Sequence, residues 1–329
     1  MDKVILSQRY LDEAIAELRK ICASVSCDLI IAEDERRSLS ALLDAHPDCR
    51  ALITFLSDTV DADLLRRAKN LRIVANYAVG YNNIDVAAAL ERGIYVTHTP
   101  DILTEATADL TMALTLAVAR RIVPADCFLR QGRFSGWEAK LFLGKELAGA
   151  TLGVVGMGRI GLAVALRALG FGMKVAYFSR TRRPDLEKRH SFVYLPFVDL
   201  LKRADVVSVH IPYSADVHHL FDRDAFALMK RDAIFINASR GGLMNEADLA
   251  EALGRNELFG AGLDVYESEP AVDDRLLGMD NVVLAPHIGS ATFAARLGMA
   301  RMTMTSVGEA LAGQVPSHLV PEWREKLQR

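Results

Sequence analysis

Short apolar runs alternate with amphipathic stretches through the first hundred residues. Runs at 3–6, 29–32, 51–55, 72–75 and 94–96 read as strands bounded by turns or charges. Between them, 11–21, 39–45, 62–68 and 86–92 space their apolar residues as helices do. That alternation predicts parallel strands joined by right-handed crossovers, an α/β domain. A long helix over 105–121 follows, rich in Ala, Leu and Thr. Its small residues suggest close packing against another element, a partner subunit being one candidate. A second series then begins, with strands at 151–155, 174–178, 206–210, 233–237, 260–265 and 282–285. Helices are expected at 160–169 and 293–312. Strand alternation alone leaves open whether the segment after Pro286 completes the second domain or returns to the first.

Length and charge narrow the picture. A chain of 329 residues is long enough for two domains. With 39 Lys+Arg against 42 Asp+Glu, there is no cationic excess to displace counterions, which argues against nucleic acid as a partner. No apolar run approaches the roughly 18 residues of a membrane span. The amino-terminal apolar patch meets charges at once and reads as a strand and helix, so no secretory signal is expected. Cys22, Cys27, Cys49 and Cys127 form no CxxC pair, which fits reduced thiols in a cytoplasmic protein. No metal site is expected.

Candidate chemistry begins at Gly156-Met157-Gly158-Arg159-Ile160-Gly161, between an apolar strand and a helical pattern. Gly156 suits a tight turn, Gly158 a close approach of backbone to pyrophosphate, and Gly161 tight helix–strand packing. A diphosphate would sit at the helix amino terminus, where free N–H groups and the dipole favour negative charge. The strand at 174–178 ends in Ser179-Arg180-Thr181-Arg182-Arg183, with no acid before Asp185. An acid there would bond a ribose 2′-hydroxyl, whereas Arg180 and Arg182 suit a 2′-phosphate. NADP(H) is therefore expected over NAD(H), which remains possible.

Three polar clusters end later strands: Asn237 to Gly241, Asp264 to Pro270, and Pro286 to Ser290. Ligands bind at strand carboxyl ends in open α/β sheets. An Arg, a Glu and a His converging there suit a carbonyl–carboxylate substrate: the Arg forks onto the carboxylate and the His exchanges a proton with the oxygen. The Glu orients the His and favours its charged form.

These motifs, in order and spacing, resemble the D-isomer-specific 2-hydroxyacid dehydrogenase family over nearly the whole chain. Asn76 to Asp85, Trp137 and Phe142-Leu143-Gly144 most resemble its glyoxylate/hydroxypyruvate reductases. The resemblance implies two doubly wound parallel-sheet α/β domains. A Rossmann nucleotide-binding domain, residues 99–287, is inserted into a flavodoxin-like substrate domain, residues 1–98 and 288–329. It implies a homodimer, a small 2-oxo/2-hydroxy acid as substrate, and Arg240, Glu269 and His287 as the catalytic triad. It implies that Val79 and Gly80 hold the substrate carboxylate with Arg240. Thr107, Arg159, Ile160, His210, Pro212, Asp264 and Gly289 fall at cofactor-contacting positions, joining Gly156, Gly158, Gly161, Ser179, Arg180 and Arg182. Met244-Asn245 departs from the Val-Asp often found in the family, which alters local hydrogen bonding but touches no triad position. A reductase for another 2-oxo acid is an alternative. So is a dinucleotide-sensing binding protein resembling the C-terminal-binding corepressors, which keep the same triad.

Overall fold

Two parallel sheets organise the molecule, whose computed structural model describes residues 2–32 and 38–328. The chain divides into two units, Met1–Leu103 with Ala291–Arg329, and Thr104–Ser290. The first is drawn from both ends of the chain and the second is continuous.

The first unit holds β1 (Asp2–Leu6), β2 (Cys27–Ile31), β3 (Cys49–Thr54), β4 (Ile73–Asn76) and β5 (Tyr95–Thr97). They run parallel in the order β2-β1-β3-β4-β5, the flavodoxin-like arrangement. Helices cover both faces, so β3 and β4 are nearly or wholly buried, and their central residues are apolar. Carboxylates start two of the helices. Asp61 accepts the Leu64 N–H at 2.8 Å and Asp85 that of Ala88 at 2.9 Å. The helix Phe293–Leu311 returns to pack on the helix Asp12–Ser24 and on β3, β4 and β5. A final helix, Pro321–Gln328, is absent from the sequence expectation. It buries Trp323, whose indole N–H donates to the Ile94 carbonyl at 2.9 Å.

The second unit holds β6 (Thr151–Val155), β7 (Lys174–Phe178), β8 (Val193–Tyr194), β9 (Val206–Val209), β10 (Ile234–Asn237), β11 (Gly260–Leu263) and β12 (Val282–Leu284). All run parallel in the order β12-β11-β10-β9-β6-β7-β8. Counted from β6, this is the Rossmann order extended by one strand, with its direction reversing between β6 and β9. Val155 pairs in register with Val209, so these two strands end level at the reversal, the place where open α/β sheets bind ligands.

The long helix departs from expectation at its carboxyl end. It spans Thr104–Ala119 and ends because Arg121 takes a left-handed φ of 51°, after which Ile122–Arg130 forms a second helix. Its small residues serve packing within the unit. The helix lies on the helix Arg159–Gly170 and on β10 and β11. A Cβ at Gly262 of β11 would come within 3.0 Å of Leu114, so the glycine sets that close approach.

Candidate active site

The ends of β6 and β9 come together at Gly156, the first residue after β6. Its φ of +104° favours glycine, and a Cβ there would lie 2.7 Å from the His210 carbonyl. His210 follows β9, donates its backbone N–H to Val155 at 2.7 Å, and places Nε2 2.8 Å from the Ser208 hydroxyl. Burial pushes its imidazole down to about 4, so the ring is neutral near pH 7.

Gly158 begins the helix Arg159–Gly170 with no side chain capping it, and a Cβ on Gly158 would meet nothing within 4 Å. Uncapped N–H groups at the start of a twelve-residue helix, with open space above them, fit the diphosphate of a dinucleotide. Arg159 is exposed on the first turn, Ile160 is half-buried beside it, and Pro212 is exposed after β9. Thr107 is buried, its side chain within 3.5 Å of where a Cβ on Gly289 would stand.

Beyond β7, Ser179 is half-buried and Arg180 exposed, with no ion pair to Arg180 among the described residues. Arg182 has a partner within the chain. Its guanidinium forks onto Glu187 at 2.8 and 2.7 Å and lies 5.6 Å from the Tyr194 ring centroid. The expectation overlooked Glu187, one helical turn on, which competes for that cation.

Arg240, Glu269 and His287 follow β10, β11 and β12, three neighbouring strands. His287 Nδ1 lies 2.9 Å from Glu269 Oε2, while Glu269 Oε1 accepts the Tyr266 N–H at 3.1 Å. Burial pushes the Glu269 carboxyl up. The hydrogen bond and charge of His287, with Tyr266 N–H and Arg240, outweigh it and hold Glu269 below the usual carboxylate range. His287 takes a left-handed φ of 53°, a conformation uncommon for a side-chain-bearing residue and concentrated at functional sites. Arg240 is half-buried, its Nη1 donating to the Ser239 carbonyl at 2.7 Å. Burial lowers its pKa and the Glu269 charge raises it again; the guanidinium stays a cation.

This second unit also carries the match that decides the family: residues 112–289 fit the D-isomer specific 2-hydroxyacid dehydrogenase, NAD binding domain. The chain belongs to the D-isomer-specific 2-hydroxyacid dehydrogenases. Among this family's members, the chain is 49% identical to a glyoxylate reductase of Thermococcus litoralis, over 85% of this chain and 86% of that protein. A solved Thermus thermophilus protein superposes with a TM-score of 0.90 at 42% identity, covering 97% of this chain and 99% of that one. An NADPH-dependent glyoxylate/hydroxypyruvate reductase of Sinorhizobium meliloti, solved with NADP and malonate, gives 0.87 at 32% identity, covering 98% and 97%.

In this dehydrogenase several positioning residues lie outside the sequence expectation. Glu246 is buried, and its carboxylate takes the backbone N–H groups of Glu267 and, at 3.1 Å, Asp273, pinning both ends of the segment that carries Glu269. The Tyr266 hydroxyl donates to the Ala285 carbonyl at 2.9 Å, tying that segment to the one carrying His287. Asn237, wholly buried, accepts the Ser239 N–H and donates to the Arg240 carbonyl, each at 3.0 Å. Asn245, the departure from the family pattern, caps the next helix by accepting the Asp248 N–H at 3.1 Å. In the first unit, the carbonyls of Val79 and Gly80 are held by His98 Nδ1 at 2.9 Å and Asn76 Nδ2 at 2.8 Å.

Proposed function

We propose that this dehydrogenase reduces glyoxylate or hydroxypyruvate to the D-2-hydroxy acid, with NADP(H) preferred and NAD(H) possible. The observation that carries the reading is the His287–Glu269 pair at 2.9 Å beside the strand end that bears Arg240. When bound, a nicotinamide dinucleotide supplies hydride-transfer chemistry. The residues fitted to hold it are Gly156, Gly158, Arg159, Ile160 and Gly161, with Thr107, His210, Pro212 and Gly289 around them.

Glu269 accepts from Nδ1 of His287, which leaves Nε2 as the nitrogen that gives its proton to the oxygen of the reduced carbonyl. Ionised Glu269 stabilises the imidazolium before that transfer. Arg240 draws the substrate carboxylate into a fork and fixes which carbonyl face is attacked. The N–H groups of Val79 and Gly80 are proposed as further donors to that carboxylate. Asp264 supports the cofactor side of the site by holding the backbone at Ile288 and Gly289.

The NADP(H) preference rests on Ser179 and Arg180 after β7 and on the missing carboxylate there; Arg182 is already committed to Glu187. A homodimer is proposed because Ile122, Leu129, Phe134, Leu143 and Trp137, the last 85% exposed, leave an apolar stretch uncovered after the long helix. Sedimentation at micromolar concentration tests it, and a monomer would remove the proposal.

The activity test is initial-rate oxidation of NADPH with glyoxylate, hydroxypyruvate, pyruvate and a bulky aromatic 2-oxo acid, NADH run in parallel. Turnover of the two small substrates is expected. Tight dinucleotide binding with no turnover would replace the reductase reading by that of a dinucleotide-sensing protein.

A further inference from the structure

Among the described residues, His218, His219 and Glu267 bring a ligand atom each to within 4.8 Å of one another. We propose that they form a binding site for a divalent transition-metal ion, zinc(II) by its ligand set, separate from the Arg240–Glu269–His287 site. The sequence carries no spacing signal for it, because two of the ligands are adjacent and the third lies 48 residues away.

Adjacent side chains normally diverge, and here the backbone prevents it. His219 takes a left-handed φ of 52°, and its N–H donates to the Gly242 carbonyl at 2.9 Å. The two imidazoles therefore stack on one side of the chain, ring centroids 3.7 Å apart and planes 25° from parallel. Nε2 of His219 meets Oε1 of Glu267 at 2.6 Å. Nδ1 of His218 lies 3.3 Å from the Tyr213 hydroxyl, the kind of partner that fixes the ring of a ligating histidine. Glu267 is anchored through its own backbone by Glu246.

Two imidazoles and one carboxylate, with an open fourth position for water, suit zinc at about 2.0–2.2 Å per ligand. Four-coordinate geometry at such lengths asks for ligand atoms roughly 3.4 Å apart. The His219–Glu267 pair must open slightly and His218 must close in. His218 and Glu267 are exposed, so both movements are side-chain rotations. The ion takes the place of the proton shared by His219 and Glu267. It then links the segment after β9 to the one after β11, two residues before Glu269. The site does not depend on the reductase reading.

Zinc sulfate titrated calorimetrically into the chelator-treated full chain is expected to bind one ion per chain and to raise the melting temperature. His218→Ala or Glu267→Gln should each weaken binding by about tenfold or more, at least the effect seen for outer-shell partners. Cobalt(II) should give tetrahedral visible absorption without a thiolate band, and Cys127→Ser or His287→Ala should leave the affinity unchanged. Absence of saturable binding overturns the site. So does binding insensitive to the His218 and Glu267 changes, or binding lost with Cys127 or His287.

Discussion

Asp264 takes the backbone N–H of Gly289 at 2.7 Å on one carboxylate oxygen, and that of Ile288 at 2.7 Å on the other. The chain just beyond His287 is thereby fastened to the end of β11. Both carboxylate oxygens are needed as acceptors, and Asn offers only one. Asp264→Asn should therefore lower kcat more than it raises the KM for dinucleotide, and destabilise the fold by about 1–3 kcal/mol. Steady-state rates and thermal melts check this; a wild-type kcat would show that the backbone at 288–289 needs no such anchor.

Loss of the proton donor should cost more. His287→Ala is expected to cut turnover by about 10²–10⁴ while dinucleotide affinity, measured by fluorescence titration, stays close to wild type. Glu269→Gln should reduce kcat and remove the acid limb that protonation of Glu269 gives the pH profile, because Glu269 is held ionised against His287 and Gln cannot take up that proton. Undiminished turnover in the first variant would remove His287 from the mechanism.

Gly241 tests how closely the Arg240 turn approaches its neighbour. A Cβ there would stand 1.8 Å from the Tyr266 carbonyl oxygen, so backbone has to move. Gly241→Ala should cost about 1–3 kcal/mol of stability and raise the KM for the 2-oxo acid as Arg240 is displaced. An unchanged melting temperature would mean that the two segments separate freely.

The neutral His210 gives a pH signature. Its folded-state pKa is depressed to about 4, below the ordinary 6.5 of an unfolded chain. Its stability contribution is present above about pH 6.5 and is lost as pH falls toward 4, because the unfolded state takes up the proton first. His210→Asn should show a flatter fall of melting temperature than wild type across that window. Parallel curves would show that His210 ionises in the folded chain as it does in the unfolded one.

Arg180 separates the two cofactors. Arg180→Ala should lower kcat/KM for NADPH by roughly 10–100-fold, the worth of one charged hydrogen-bonding partner, with NADH little affected. Equal losses with both cofactors would place Arg180 elsewhere than at a 2′-phosphate.

The sheets were legible because parallel strands buried on both faces carry long apolar runs, and the glycine turn because few residues fit it. β8 was not legible: two residues, Val193 and Tyr194, make too short a run to carry a period. The break at Arg121 was hidden because its left-handed conformation falls on a residue with no special preference for it. The triad residues stood out through polar clusters at strand ends. Their supports did not, since Glu246 reads as an ordinary first-turn helix acid and only the fold brings it to the N–H groups of Glu267 and Asp273. The commitment of Arg182 to Glu187 was likewise invisible, because both residues read as solvated charges.

The two-ended construction of the first unit has a consequence for the order of synthesis. Its sheet is complete once Thr97 has been made, yet Tyr10 finds its hydroxyl partner, at 2.5 Å, only on Thr303. The helix that covers β3 and β4 arrives only after the whole of Thr104–Ser290. On the ribosome, the later-encoded sheet is thus free to finish first. The amino-terminal sheet waits with β3, β4 and β5 uncovered by that helix, at the cost of closing a loop of nearly the whole chain. Of the two units, the one that emerges first is the one that must mature last.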